Sequence, residues 1–134
     1  KLDMQIIAVC GRNDELKEKL SKLPLKVIGY TDKMHELMAI SDLVVTKAGP
    51  ATIEEAITKG LPIIITNYIK GQEKGNIAYA KERTRAYYEP NIRKAVQIIK
   101  DECLHRRQRL DNIHKSNAPV YKIALFIKEI LENM

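Results

Sequence analysis

The chain has no tryptophan and a single phenylalanine, and six tyrosines bring its aromatic share only to 5%. Nothing aromatic is interleaved with the basic run Arg106, Arg107, Arg109 and Lys115, and no recognition motif occurs, so nucleic acid is not an expected partner. There are two cysteines, Cys10 and Cys103, 93 residues apart. Such spacing gives neither a disulfide framework nor a metal knuckle, and both are expected as reduced thiols in a cytoplasmic protein. The histidines His35, His105 and His114 have no partner at ligand spacing and read as surface or helix-packing residues, so no metal is expected. No Ser-His-Asp or Cys-His arrangement is suggested locally. No apolar run approaches the roughly 18 to 20 residues that a bilayer span needs, and the N-terminus lacks the apolar centre of a signal peptide. With 6 glycines, 5 prolines and no internal repeat, the chain is neither collagen-like nor low in complexity.

What is present is an ordinary globular composition, 45% apolar and 30% charged over 134 residues. That length suffices for one domain with a core and is too short for two large lobes around a cleft. The net charge of +6 is unevenly spread: 11 cationic against 10 acidic residues up to position 80, and 12 against 7 beyond it. The basic excess therefore lies in the last 54 residues, where charge alone does not separate a membrane surface, a nucleic acid or simple solubility.

Short apolar runs alternate with segments of helical spacing. Gln5 to Cys10, Leu43 to Thr46 and Pro62 to Thr66 read as buried strands, with Leu25 to Ile28 and Ala86 to Tyr88 as lesser candidates. Leu16, Leu20 and Leu23 follow the capping pair Asn13-Asp14, and Met34, Leu37 and Met38 follow Thr31-Asp32. A helix from about Thr52 to Lys59 stops at Gly60 ahead of Pro62, and another covers Glu73 to Ala80. The alternation predicts a doubly wound α/β arrangement with a parallel sheet covered on both faces. After Pro90 only helices are expected: a stripe Ile92, Ala95, Val96, Ile99 and Cys103, and a second from Val120 to Leu131, separated by the basic, weakly apolar segment 105–116.

Two polar clusters follow strands. In Thr46-Lys47-Ala48-Gly49-Pro50-Ala51-Thr52-Ile53-Glu54-Glu55 a strand ends, a Gly-Pro turn follows and a helix starts, which is where a parallel sheet presents free amides and a helix dipole to an anion. Gly49 allows close approach and Thr52 adds a hydroxyl donor. The alternative is a capping box, with Thr52 as cap and Glu55 reaching back. The second cluster, Asn67 to Asn76, contains Gln72, Glu73 and Asn76, suited to a polyhydroxylated ligand or else to an ordinary polar loop.

In order and spacing, TKAGPATIEEAITKGLPIIITNYIKGQEKGN resembles the donor-sugar motif of family 28 glycosyltransferases of the GT-B fold, most closely diacylglycerol glucosyltransferases and monogalactosyldiacylglycerol synthases. It is more distantly similar to the N-acetylglucosaminyltransferase of peptidoglycan synthesis. The resemblance extends back through QIIAVCGRNDELKEKL and VIGYTDKMHELMAISDLVVTKAGP. It implies that Gly49, Pro50, Ala51 and Thr52 hold the diphosphate of a UDP-sugar, that Glu55 binds the ribose, and that Gln72, Glu73 and Asn76 read the sugar. Ile28, Gly29 and Tyr30 would border the uracil, and Lys47 would neutralise charge beside the phosphate turn or stand as a solvated lysine. In the family the sugar passes with inversion to a lipid hydroxyl without a required metal, and no cofactor is implied beyond the UDP-sugar donor.

The resemblance places the chain in the C-terminal, donor-binding lobe, a Rossmann-like parallel sheet with helices on both faces and a C-terminal helical segment. Residues 1–134 are then one nucleotide-sugar-binding domain, with an α/β core over 1–90 lacking its first strand and C-terminal helices over 91–134. The general base belongs to an N-terminal lobe outside this chain. That first strand is normally central, so apolar edges should be exposed and available to another segment or a second copy. Segment 81–90, KERTRAYYEP, departs from the family pattern. The basic segment reads as a solvated helix face, with contact to an anionic membrane surface as the alternative, which would make the protein peripheral on the cytoplasmic membrane face. Two other readings stay open: a non-catalytic or regulatory binding module with the same fold, and a fragment of a nucleotide-sugar epimerase.

Overall fold

The computed structural model describes residues 4–115, with side chains as far as Arg106. Strands and helices alternate as β1 (Ile7–Val9), α1 (Asp14–Ser21), β2 (Lys26–Ile28), α2 (Met34–Ala39), β3 (Val44–Lys47), α3 (Pro50–Thr58), β4 (Ile63–Asn67), α4 (Lys74–Arg83), β5 (Ala86–Tyr88) and α5 (Ile92–Lys115). All strand pairs are parallel. β1 pairs with β2, Ala8 opposite Val27, while β4 lies between β3 and β5, with Ile64 opposite Val45 and Tyr87. The arrangement is α/β with helices flanking parallel strands, but the ladder is divided into sheets β1-β2 and β3-β4-β5.

The division explains a difference in burial. All three apolar runs read as buried strands, yet only β4 is enclosed, with Ile63, Ile64 and Ile65 at 0% exposure. Among the described residues β4 alone is paired on both edges, and it carries helices on both faces. Ile63 and Ile65 join Met38, Ile53, Ala56, Leu61 and Ala80 in one cluster. Ile64, alternating to the other face, lies on the side where α5 packs against β4. In contrast, Ile7 and Val9 in β1 and Val45 in β3 are 36, 37 and 49% exposed, and α1 buries no residue. Among the described residues β1 and β3 each pair on one edge only, which leaves part of their apolar surface without a described neighbour.

The helix ends show what local sequence does and does not decide. Asn13 caps α1 as expected, its Oδ1 accepting from Leu16 N at 2.9 Å. α2 instead begins after Lys33 without a side-chain cap, because the Thr31 hydroxyl accepts from Lys33 N and closes a turn outside the helix. α3 ends in a Schellman motif: Gly60 at φ +65°, with Leu61 N donating to Ala56 O and Gly60 N to Ile57 O. The last helix does not stop near Cys103. No glycine or proline interrupts residues 92–115, and their Arg, Lys, Gln and Leu are good helix formers, so α5 continues through Lys115. The second expected C-terminal helix, Val120 to Leu131, lies outside the described residues.

Candidate functional site

The two polar clusters separated in sequence meet at the C-terminal ends of β3 and β4. A bulge between Thr46 and Lys47 shifts the register so that Lys47 faces Asn67, and Ala48 N donates to Asn67 O at 2.8 Å. The chain then turns at Gly49 and enters α3 through Pro50. Pro50 suits this first helical position because its ring presets φ and its missing N–H is not needed there. The capping box weighed at Thr52 is not formed. Gly49 is the cap, with φ −71° and ψ 131°, and Thr52 lies inside the first turn. The first bond of α3 runs from Ile53 N to Gly49 O, so the Ala51 and Thr52 amides precede the helical ladder. The half-buried Thr52 hydroxyl has no hydrogen-bond partner among the described residues.

The adjacent carboxylates of α3 differ. Glu54 accepts from the Tyr79 hydroxyl at 2.8 Å, and the Arg83 guanidinium stands 4.4 Å from the Tyr79 ring centroid. Glu55 is exposed, without a side-chain partner among the described residues, and one turn from Thr52 on the same helix face. A cavity of about 330 Å³ opens beside this turn among Pro50, Ile53, Glu54, Asn76 and Tyr79.

From the β4 side, Glu73 and Asn76 reach across. Glu73 is 6% exposed; its Oε1 is 2.5 Å from Lys47 Nζ and its Oε2 accepts from Ile69 N at 2.9 Å. The lysine hydrogen bond, with the Ile69 amide behind it, holds this carboxyl below the usual carboxylate range. Asn76 Nδ2 donates to Ala48 O at 2.8 Å, and Gln72 is exposed in the loop that turns at Gly71, φ +84°. Glu73 and Asn76 thus already make contacts within the protein, as well as standing at the predicted sugar-reading positions. At the end of β2, Ile28 O accepts from Cys10 N at 2.8 Å, and the 68%-exposed Tyr30 has the Arg12 guanidinium 5.0 Å from its ring centroid.

Two features escaped the sequence reading. Arg12 over Tyr30 is a cation–π contact between two strand-end turns. Its only sequence signal is that both residues directly follow glycines closing parallel strands. The Lys47–Glu73 pair spans 26 residues, and no local pattern links its members. A larger cavity, about 550 Å³, opens at the opposite ends of the strands, beside Asp42, Pro62, Arg85 and Arg106. Its guanidiniums are engaged internally, Arg106 with Asp42 at 2.6 Å and Arg85 with buried Glu102 at 2.8 Å. No cluster of three or more potential metal-ligating side chains occurs among the described residues.

Comparison with known proteins matches the chain to a family. The family model Glycosyltransferase family 28 C-terminal domain covers residues 1–124. The chain is similar to Monogalactosyldiacylglycerol synthase 1, chloroplastic, of Arabidopsis thaliana, with 43% identity across 72% of this chain and 19% of that protein. It is similar also to Monogalactosyldiacylglycerol synthase 2, chloroplastic, of the same plant, at 35% identity over 96% of the chain and 30% of the relative. A third relative, Monogalactosyldiacylglycerol synthase, chloroplastic, of Spinacia oleracea, is 49% identical over 58% of the chain and 16% of its own length. The chain therefore spans less than a third of each of these relatives. With α/β architecture, parallel strands and a strand-end helix N-terminus in the expected order, the chain belongs to the glycosyltransferase family 28 C-terminal domains, one lobe of a GT-B fold.

Proposed function

We propose that this domain binds the UDP-sugar donor of a glycosyltransferase that transfers a hexosyl group, with inversion, to the hydroxyl of a diacylglycerol-type lipid. The observation that carries the reading is the α3 N-terminus, where the Ala51 and Thr52 amides precede the helical ladder, the Thr52 hydroxyl has no partner among the described residues, and Lys47 Nζ stands 3.6 Å from the place of a Gly49 Cβ. Among the described residues nothing requires glycine at position 49. Its φ is ordinary, and an added Cβ would meet Lys47 Nζ at 3.6 Å, a normal contact. What the missing side chain leaves is space for a ligand. A diphosphate there would gain helix-dipole and hydrogen-bond stabilisation that increases as the glycosyl bond breaks and charge builds on the leaving oxygen.

In this reading Glu55 accepts from the ribose hydroxyls, Tyr30 with the backbone of Ile28 and Gly29 borders the base, and Gln72 and Asn76 contact the sugar. The names of the relatives favour a galactosyl donor and a diacylglycerol acceptor. The general base belongs to the acceptor lobe. The basic C-terminal third is assigned to docking of that lobe or to an anionic membrane surface. The edges of β1 and β3 that are unpaired among the described residues would be completed by a further strand, from another segment or a second copy of the chain.

Calorimetric titration with UDP, UMP and UDP-hexoses tests the donor reading. The expected affinity for UDP is micromolar to millimolar, weakened about tenfold by Thr52→Ala or Glu55→Ala. Heat from UDP that neither substitution changes removes the site assignment. No heat with any of these ligands, together with salt-sensitive liposome binding, points to a non-catalytic membrane-binding module.

A further inference from the structure

Glu73 is engaged by protein on both of its oxygens. Its side chain is 8% exposed, against 55% for Lys47, so a buried carboxylate anchors a largely solvated ammonium. The anchored Nζ stands 3.6 Å from the place a Gly49 Cβ would occupy, with Glu73 Oε1 at 4.0 Å from the same point. The second oxygen accepts from Ile69 N, at the start of the loop that carries Gln72. One side chain thus ties the phosphate turn after β3 to the polar loop after β4.

We infer that Glu73 is a positioning residue: its carboxylate holds the Lys47 ammonium beside the α3 N-terminus and fixes the 69–73 loop, and it acts on the donor through the diphosphate rather than by reading the sugar. The inference rests on the UDP-sugar reading above. A lysine on a flexible four-carbon stem loses side-chain entropy when it binds phosphate. Pairing with a buried, immobile carboxylate removes much of that freedom before the ligand arrives. With one partner on each oxygen and a side chain only 8% exposed, the carboxylate offers sugar hydroxyls little accessible surface, whereas the Lys47 ammonium it holds is open to solvent. An incoming diphosphate would share the ammonium, whose exposed side leaves two further N–H donors for it.

The two roles separate with a ligand that has no sugar. Calorimetry of the 134-residue chain with UDP and with UDP-galactose is expected to show Glu73→Gln weakening both by one common factor, about tenfold. Lys47→Gln should give a similar common loss, and the double variant should bind no more weakly than Lys47→Gln alone, because the two groups act as one unit. Lys47 is largely exposed, so its substitution keeps the test open if Glu73→Gln fails to fold, and the same common factor is required of it. Loss confined to UDP-galactose, tighter binding of UDP by Glu73→Gln, or additive losses in the double variant each overturn the inference. If the unsubstituted chain binds neither ligand, the UDP-sugar reading fails, and this inference with it. If it binds both while Lys47→Gln and Glu73→Gln have no effect, only the inference fails.

Discussion

The side-chain amide of Asn76 donates to the carbonyl oxygen of Ala48 at 2.8 Å, joining the first turn of α4 to the turn that precedes α3. With Ala48 at 0% exposure, its carbonyl has little access to water and depends on such a donor. Asn76→Ala is expected to lower stability by about 1–2 kcal/mol through the orphaned carbonyl. It should also weaken UDP, since the turn before α3 loses its restraint. Urea denaturation and UDP titration on one preparation measure both, and a stability loss with unchanged UDP affinity would separate this bond from the site.

Gly60 provides a contrasting position. It adopts φ +65° to close α3, has nothing within 4 Å of a built Cβ, and lies at the end of the helix remote from Gly49. Gly60→Ala should cost about 1 kcal/mol of stability from backbone strain alone. UDP affinity should be unchanged. A larger stability loss, or any effect on UDP, would mean that the C-terminal end of α3 matters to the site in a way its geometry does not show.

Stability should respond to pH at both ends. The Glu73 carboxyl is held low, first by the Lys47 hydrogen bond, so its contribution is complete above the ordinary carboxylate range and disappears as pH falls through the lowered value. The Tyr87 and Tyr79 phenols are pushed up, chiefly by donating to Glu102 and Glu54. Their contributions are complete below the ordinary phenol range and disappear as pH rises through the raised values. Denaturant midpoints measured across pH should flatten on the acid limb for Lys47→Gln and on the alkaline limb for Tyr87→Phe. An acid limb untouched by Lys47→Gln contradicts the assignment.

Hydrogen exchange should follow the division of the sheet. The amides of β4, paired on both sides and enclosed, are expected to exchange slowest, and those of β1 much faster. Equal protection in β1 and β4, with a monomer in light scattering, would mean that the β1 edge is not open. If a second copy fills the edge, β1 protection should rise with protein concentration.

Much of this was available from the order of residues. The alternation of apolar runs and helical spacing determined the parallel α/β arrangement, since a strand such as Pro62 to Thr66, apolar at successive positions, needs cover on both faces. Gly49-Pro50 determined a strand-to-helix turn, because proline presets the first helical φ and glycine leaves the approach open. Asn13 and Gly60 fixed their helix ends through contacts within a few residues.

The tertiary structure decided what depends on distant neighbours. Whether Thr52 caps α3 was open in the sequence, although what settled it, Pro50 starting the helix two residues earlier, is itself local. The burial of β4 and the exposure of β1 were not legible, because similar apolar runs differ only in how many strands and helices surround them. Glu73 and Asn76 were visible as polar residues at a strand end. That they grip Lys47 and Ala48 follows from the β3–β4 register, which brings residues 26 and 28 positions apart within hydrogen-bond reach.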